Sequence, residues 1–224
     1  MGGLLPGYRY ARGLEVARRD AGIAFPEGLR SAGEALRPAV FLDRDGTVIE
    51  HVSYLADPAL VKLLPGSAEA LVRLRRAGFA RVLVTNQSAI GRGMITEDRL
   101  EEIHAEMNRQ LAVRGASLDA IYYCPEAPVG EDRTTVECPD RKPGPGMLLR
   151  AAAELKLDLD ASWMVGDLVS DVLAGLNAGC RSILVQSGQT SPAAAFEALA
   201  GRFLMAPDLA ASTNLILDGQ EASQ

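Results

Sequence analysis

The chain has 224 residues, 48% hydrophobic and 23% charged, which suits one folded domain with an appendage and excludes disorder over most of its length. No apolar run approaches the roughly 20 residues of a membrane span, and a formal net charge of −6 argues against a polynucleotide as the main partner. Three cysteines and two histidines exclude a disulfide framework and a histidine-rich metal site.

Residues 1–37 read as an N-terminal extension. Arg9, Arg12, Arg18 and Arg19 interrupt any apolar stretch, so no secretory signal is read. With so few cysteines, this predicts a cytoplasmic protein. Gly7, Pro26 and Pro38 punctuate the segment, which is expected to carry one or two short helices and to serve as a lid, an oligomer contact or a packed appendage. From Pro38 onward, apolar runs and helical periodicities alternate. In chain order they are strand Ala39–Leu42, helix Ser67–Ala77, strand Ala80–Thr85, helix Glu97–Arg114 and strand Ala120–Tyr123. Then come helix Met147–Lys156, strand Trp163–Val165, helix Asp171–Asn177 and strand Ser182–Val185. Phe203–Met205 and Asp208–Leu217 add a last strand and helix. This alternation predicts an α/β domain over residues 38–218, a three-layer, doubly wound, mostly parallel sheet. Gly219–Gln224 is expected to be a mobile tail.

In such sheets ligands bind beyond the carboxyl ends of the strands, so the polar residues after each apolar run carry the functional reading. The first run ends FLDRDGTVIE. Asp43 and Asp45 are two apart, and in extended backbone they face one side. Such a pair can hold Mg²⁺, and one carboxylate can attack phosphorus while the other moves protons. The same residues also make an ordinary solvated turn. The second run ends VLVTNQSAIGRG, where the Thr85 hydroxyl and Asn86 amide are donors suited to a phosphoryl group, or simply a helix-capping loop. CPDRKPGPGM offers Arg141 and Lys142, cations suited to anion binding or to plain exposure. WMVGDLVSD places Asp167 at a strand end and Asp171 four residues on, a second acidic pair or a helix cap. Together, in order, these supply what metal-assisted phosphoryl transfer through aspartate requires.

DRDGT, TNQS, RKP and GDLVSD, in this order, resemble the four motifs of the haloacid dehalogenase superfamily of phosphatases, from about Pro38 to the C-terminus. FLDRDGTV, VTNQSAIGRG, IYYCP and RKPGPGMLL are most similar to its group of heptose-bisphosphate 7-phosphatases and histidinol-phosphatases. The resemblance implies a HAD-like, Rossmannoid fold with a minimal cap. It implies Asp43 as nucleophile, Asp45 as general acid/base, and Thr85 and Lys142 holding the transferring phosphoryl. Mg²⁺ is implied on Asp43, the Asp45 backbone carbonyl and Asp167, with Asp171 supporting that site or Lys142 from behind. His51, Val52, Ser53, Tyr54, Asn86, Gln87, Ser88 and Arg141 are implied to meet the substrate. The expected enzyme is a phosphomonoesterase of carbohydrate metabolism acting on a small phosphorylated metabolite, D-glycero-D-manno-heptose 1,7-bisphosphate first. Histidinol phosphate, a polynucleotide 3′-phosphate and a non-catalytic binding role are the competing readings. The partner is the small molecule alone, with no nucleic acid or membrane, and the protein is expected as a monomer or small homo-oligomer.

Two departures stand out. Relatives hold a structural zinc with Cys-x-His and Cys-x-Cys. Here Cys124 and Cys138 remain, while Glu126 and Asp140 take the other two places. Two hard carboxylates in place of an imidazole and a thiolate weaken zinc binding, so bound zinc is doubtful and the loop reads as a degenerate zinc loop. Leu168 follows Asp167, where close relatives often have a substrate-touching lysine. Cys180 reads as an inert core thiol.

Overall fold

The computed structural model describes residues 10–11, 36–130, 134–189 and 199–221. Seven strands form one sheet: β1 (Tyr10–Ala11), β2 (Arg37–Leu42), β3 (Ala80–Asn86), β4 (Ala120–Cys124), β5 (Leu157–Gly166), β6 (Arg181–Val185) and β7 (Leu204–Ala206). Their order is β1-β4-β3-β2-β5-β6-β7, and every neighbouring pair is parallel. The chain builds outward from β2 to one side, then returns to β5 and builds to the other. That reversal opens a crevice between the carboxyl ends of β2 and β5.

Both faces of the sheet are buried, which explains why the strands read as short continuous apolar runs. Side chains alternate along each strand. Val40, Leu42, Leu83, Ile121 and Val165 face one core, with Leu71 and Leu74 of α1 (Ser67–Arg76), Ile103 and Met107 of α3 (Glu97–Val113), and Ile216 of α6 (Leu209–Glu221). Ala39, Phe41, Val82, Val84, Tyr122 and Met164 face the other, against Met147, Leu148 and Ala151 of α4 (Gly146–Leu155) and Ala174 of α5 (Val169–Asn177).

The expected elements are present with shifted ends. Helix α2 (Ser88–Gly91) is an addition, a single turn in the loop after β3. Strand β5, expected from Trp163, begins at Leu157. Its first half is polar, DLDAS, and the register shifts between Pro38 and Val40. There the Ser162 hydroxyl accepts the Ala39 N–H at 2.8 Å, replacing a ladder bond. Helix α6 runs to Glu221, so residues 219–221 of the expected tail are helical; Ile216 anchors this helix in the core. Of residues 1–35 only Tyr10–Ala11 is described, paired beside Ile121 and Tyr122; the helices expected in residues 1–37 lie outside the described residues. The link from β2 to α1 holds only one short 3-10 turn, Pro58–Leu60, and no cap domain occurs among the described residues. No described helix is long and apolar enough to cross a membrane.

Candidate active site

Asp43 lies one residue past β2, with its N–H still bonded to Val165 O at 2.9 Å. Asp167 lies one residue past β5. Because β2 and β5 are neighbours, the two carboxylates converge at the crevice. Asp171 joins them from the first turn of α5, where its Oδ2 accepts the Leu168 N–H at 2.9 Å. Oxygens from Asp43, Asp167 and Asp171 lie within 4.8 Å of one another, and all three residues are buried. Among the described residues one cation reaches this group: Lys142 Nζ is 2.5 Å from Asp43 Oδ1 and 2.6 Å from Asp171 Oδ1, and it donates to Val84 O at 2.9 Å.

The balance of charge is therefore three carboxylates against one ammonium. Burial pushes the Asp43 carboxyl up to about 7, aided by Asp171 and Asp45 and opposed by Lys142. Burial also pushes Asp167 up to about 8, with Asp43 and Asp171 adding to it. For Lys142, burial alone would favour the neutral amine, but Asp171 and Asp43 more than offset it and its pKa is raised. Asp167 Oδ2 accepts the Gln189 N–H at 2.6 Å, whereas Oδ1 is buried with no hydrogen-bond partner among the described residues. A hard divalent cation fits this set: oxygen donors, surplus negative charge and an unspent lone pair. Gly46 (φ 79°) lets the Asp167 carboxylate and the Gly188 backbone approach, since a Cβ there would lie 2.6 Å from Asp167 Oδ2 and from Gly188 Cα.

The backbone after Asp43 turns sharply, with Val48 N and Ile49 N both bonded to Arg44 O at 3.0 Å. Arg44, flanked by the two aspartates, is 1% exposed. Its guanidinium donates to Asp45 Oδ2 from Nε at 3.0 Å and to Oδ1 from Nη2 at 3.2 Å. Nη2 also reaches Gln87 Oε1 at 3.1 Å, and Nη1 meets His104 Nε2 at 3.3 Å. Gln87 Nε2 in turn donates to Thr85 Oγ1 at 2.8 Å and to Asp45 Oδ2 at 3.2 Å.

Two adjoining clefts open here. One, of about 120 Å³, is lined by Asp43, Asp45, Lys142, Asp167 and Asp171, with Leu168 at its side. The other, of about 200 Å³, is lined by His51, Ser53, Tyr54, Gln87 and Ser88. His51, Asn86 and Gln189 border both. The two clefts thus gather most of the residues expected from sequence. Thr85, Val52 and Arg141 border neither: the Thr85 hydroxyl is buried and accepts from Gln87 Nε2, Val52 packs on the core, and Arg141 donates to Glu126 O at 2.7 Å. Asn86 clamps the lysine loop, with Nδ2 donating to Lys142 O and Oδ1 accepting Lys142 N, both at 3.0 Å. Arg44, His104 and Gln189 carry no role in the sequence reading. Gln189 was open to discovery, because it follows β6 and the strand-end rule applies there too. Its side chain meets His51 Nε2 at 2.6 Å, joining the loops after β2 and β6 above the cleft.

Around the cysteine loop the grouping is different. The Cys124 thiol is buried at the end of β4 and pushed up to about 12 by that burial. The Asp140 carboxylate pairs with Arg150 of α4 at 2.8 Å. All three cysteines are free, and among the described residues Cys124, Glu126, Cys138 and Asp140 do not bring three donor atoms together.

The sequence model of the HAD-hydrolase-like family matches residues 140–212. The D-glycero-beta-D-manno-heptose-1,7-bisphosphate 7-phosphatase of Pasteurella multocida is 45% identical over 69% of this chain and 84% of its own. The enzyme of the same name from Yersinia pestis is 46% identical over 68% of this chain and 82% of its own. The crystal structure of D,D-heptose 1,7-bisphosphate phosphatase from B. bronchiseptica, complexed with magnesium and phosphate, superimposes with a TM-score of 0.72 at 36% identity, covering 81% of this chain and 99% of that one.

Proposed function

We propose that this chain, which belongs to the HAD-like phosphatase family of the heptose-bisphosphate 7-phosphatases, is a Mg²⁺-dependent phosphoric monoester hydrolase that removes the 7-phosphate of D-glycero-D-manno-heptose 1,7-bisphosphate. One observation carries the catalytic reading: Asp43, Asp167 and Asp171 converge within 4.8 Å at the switch point of the sheet. Among the described residues they share a single ammonium, and one buried carboxylate oxygen, Asp167 Oδ1, has no hydrogen-bond partner. The substrate comes from the relatives that share about 45% of their residues with this chain over most of their length.

The mechanism follows from these side chains. An Asp43 oxygen attacks phosphorus in line, forming the aspartyl O–P bond as the bond to the bridging oxygen breaks. The leaving oxygen keeps that electron pair and takes a proton from the Asp45 carboxyl. Asp45, now a carboxylate, then takes a proton from water as the water attacks phosphorus, and Asp43 is released. Lys142 and the Thr85 hydroxyl hold the equatorial oxygens. Asp43, the Asp45 carbonyl and Asp167 would hold Mg²⁺, which when bound would supply the positive charge that lets anionic carboxylate and phosphate meet. Asp171 spends its oxygens on Lys142 and the Leu168 N–H, and so fixes the lysine from behind. The wider cleft, with His51, Ser53, Tyr54 and Ser88, receives the sugar.

A cytoplasmic enzyme of carbohydrate metabolism, acting on this small molecule as a monomer or small homo-oligomer, completes the proposal; three free thiols and a formal net charge of −6 support it. The test is phosphate release from the heptose bisphosphate with and without Mg²⁺. Fast, Mg²⁺-dependent release of one phosphate is expected. Failure on that substrate with turnover of histidinol phosphate would replace the substrate. Failure across a panel of sugar and amino-alcohol phosphates would overturn the enzymatic reading.

A further inference from the structure

Asp45 needs a defined position, since its carboxyl must face the leaving oxygen and not the metal carboxylates two residues away. Nothing in the main chain provides this, because the turn after β2 bonds through Arg44 O, Gly46 N and Ile49 O. The side chains do provide it. Both Asp45 oxygens are engaged, by Arg44 Nε and Nη2 and by Gln87 Nε2. Arg44 is itself fixed on its far side by Gln87 Oε1 and by His104 on α3. Burial and Arg44 hold the His104 pKa well below its ordinary value, so the ring is neutral and its Nε2 accepts from the guanidinium. The Gln87 amide is polarised in one sense: Oε1 takes Arg44, and its two N–H groups go to Asp45 and Thr85. With one lone pair of Thr85 Oγ1 occupied by that N–H, the hydroxyl hydrogen is left to point at a phosphoryl oxygen.

We infer that Arg44, Gln87 and His104 are positioning residues that hold Asp45 and Thr85 in register for leaving-group protonation. His104 is fully buried, Arg44 and Gln87 are buried against the wider cleft, and Asp45 borders the catalytic cleft. Gln87 is thereby assigned to holding catalytic side chains, with both amide hydrogens spent inside the protein. A guanidinium is needed at 44 because its planar fork meets both carboxylate oxygens at once, which an ammonium cannot do. The inference rests on the role proposed above for Asp45.

The test compares two leaving groups on one preparation. The heptose bisphosphate expels an alkoxide, which needs a proton. p-Nitrophenyl phosphate expels nitrophenolate, which leaves without one. For each, kcat/KM reports the steps through departure of the leaving group, and the ratio of the two cancels any loss of folded enzyme. Asp45→Asn should lower the sugar-to-aryl ratio about 10²-fold or more, the usual scale of general acid catalysis. Arg44→Lys, which keeps the buried charge and so the fold, should lower it about tenfold; His104→Leu should lower it severalfold, and His104→Gln, which retains an acceptor, should restore it. If Arg44→Lys and His104→Leu lower both substrates equally, or neither, the cluster is structural and the inference is overturned. If instead Asp45→Asn leaves the ratio unchanged, the role of Asp45 itself is wrong and the inference falls with it.

Discussion

Two strands on either side of β3 end in loops rich in acids and metal-type ligands, with opposite outcomes. After β2, Asp43 meets Asp167, Asp171 and Lys142 in a buried, mutually dependent cluster. After β4, Cys124, Glu126, Cys138 and Asp140 stay ungrouped, and Asp140 turns to Arg150. The difference lies in what aims the side chains. The three carboxylates of the first set stand on strand ends and a helix start whose spacing is fixed by sheet pairing, and Lys142, although on the loop after β4, is clamped to the end of β3 by Asn86. The second set, Cys124 apart, hangs on a loop of some 20 residues, where local partners decide direction.

The sharpest break of this contrast is Asp43→Asn. It should leave the fold intact and lower phosphate release by about 10³-fold or more, as for loss of a covalent nucleophile; circular dichroism and a phosphate assay check both halves. Lys142→Met comes next. It strips the one cation from three buried carboxylates, so it should destabilise metal-free protein by about 3–5 kcal/mol in denaturant melts and cost about 10²-fold in kcat/KM. An equal loss from a substitution at Cys124, Glu126, Cys138 or Asp140 would erase the distinction between the two regions.

Legibility in sequence follows the same division. Asp43, Asp167 and Thr85 could be read because apolar runs end at or next to them, and a parallel sheet sends such residues to one rim; Lys142, far beyond the end of β4, was legible from the RKP motif instead. Asp171 had a second sufficient account as a helix cap, and it performs both tasks. Arg44 stood inside the most informative motif yet its role was hidden, because only the fold brings His104 and Gln87 against it. Strand β5 was shortened in the reading because half of it is polar and bulged. Arg141 looked like an anion grip, but the loop carbonyl of Glu126 takes its guanidinium.

A subtler effect is the pH dependence of stability. Asp43 and Asp167 sit at about 7 and about 8, raised from the ordinary 3.8. A raised carboxyl contributes stability that is complete below the unfolded value and lost as pH climbs through the folded one. Metal-free protein should therefore lose thermal stability between about pH 5 and pH 8. Mg²⁺ replaces the protons, so its stabilising shift should grow over the same range, from near zero to several degrees in Tm. Melting curves with Mg²⁺ and with a chelator measure this directly. Asp43→Asn should flatten the metal-free slope, and a slope unchanged in that variant would place the titration elsewhere.

The smallest effect belongs to the other region. Asp140→Asn should leave kcat/KM within about twofold, because the Asp140–Arg150 pair borders neither cleft. Stability should fall by about 1–3 kcal/mol, the cost of a buried polar group left without its partner. The burden falls on Arg150, whose Nε and Nη2 are buried and have no hydrogen-bond partner among the described residues. Its guanidinium carbon stands 5.7 Å from the Tyr122 ring centroid, a contact that survives the substitution and moderates the loss. Replacing both residues, Asp140→Asn with Arg150→Met, removes the unpaired charge as well. The double variant should then melt closer to the parent than the single one does, a positive coupling that only a direct pair produces. Additive losses would mean that Asp140 works through another partner. A drop in zinc content alongside the single substitution would identify that partner as a metal, and the two loops would then differ less than their geometry indicates.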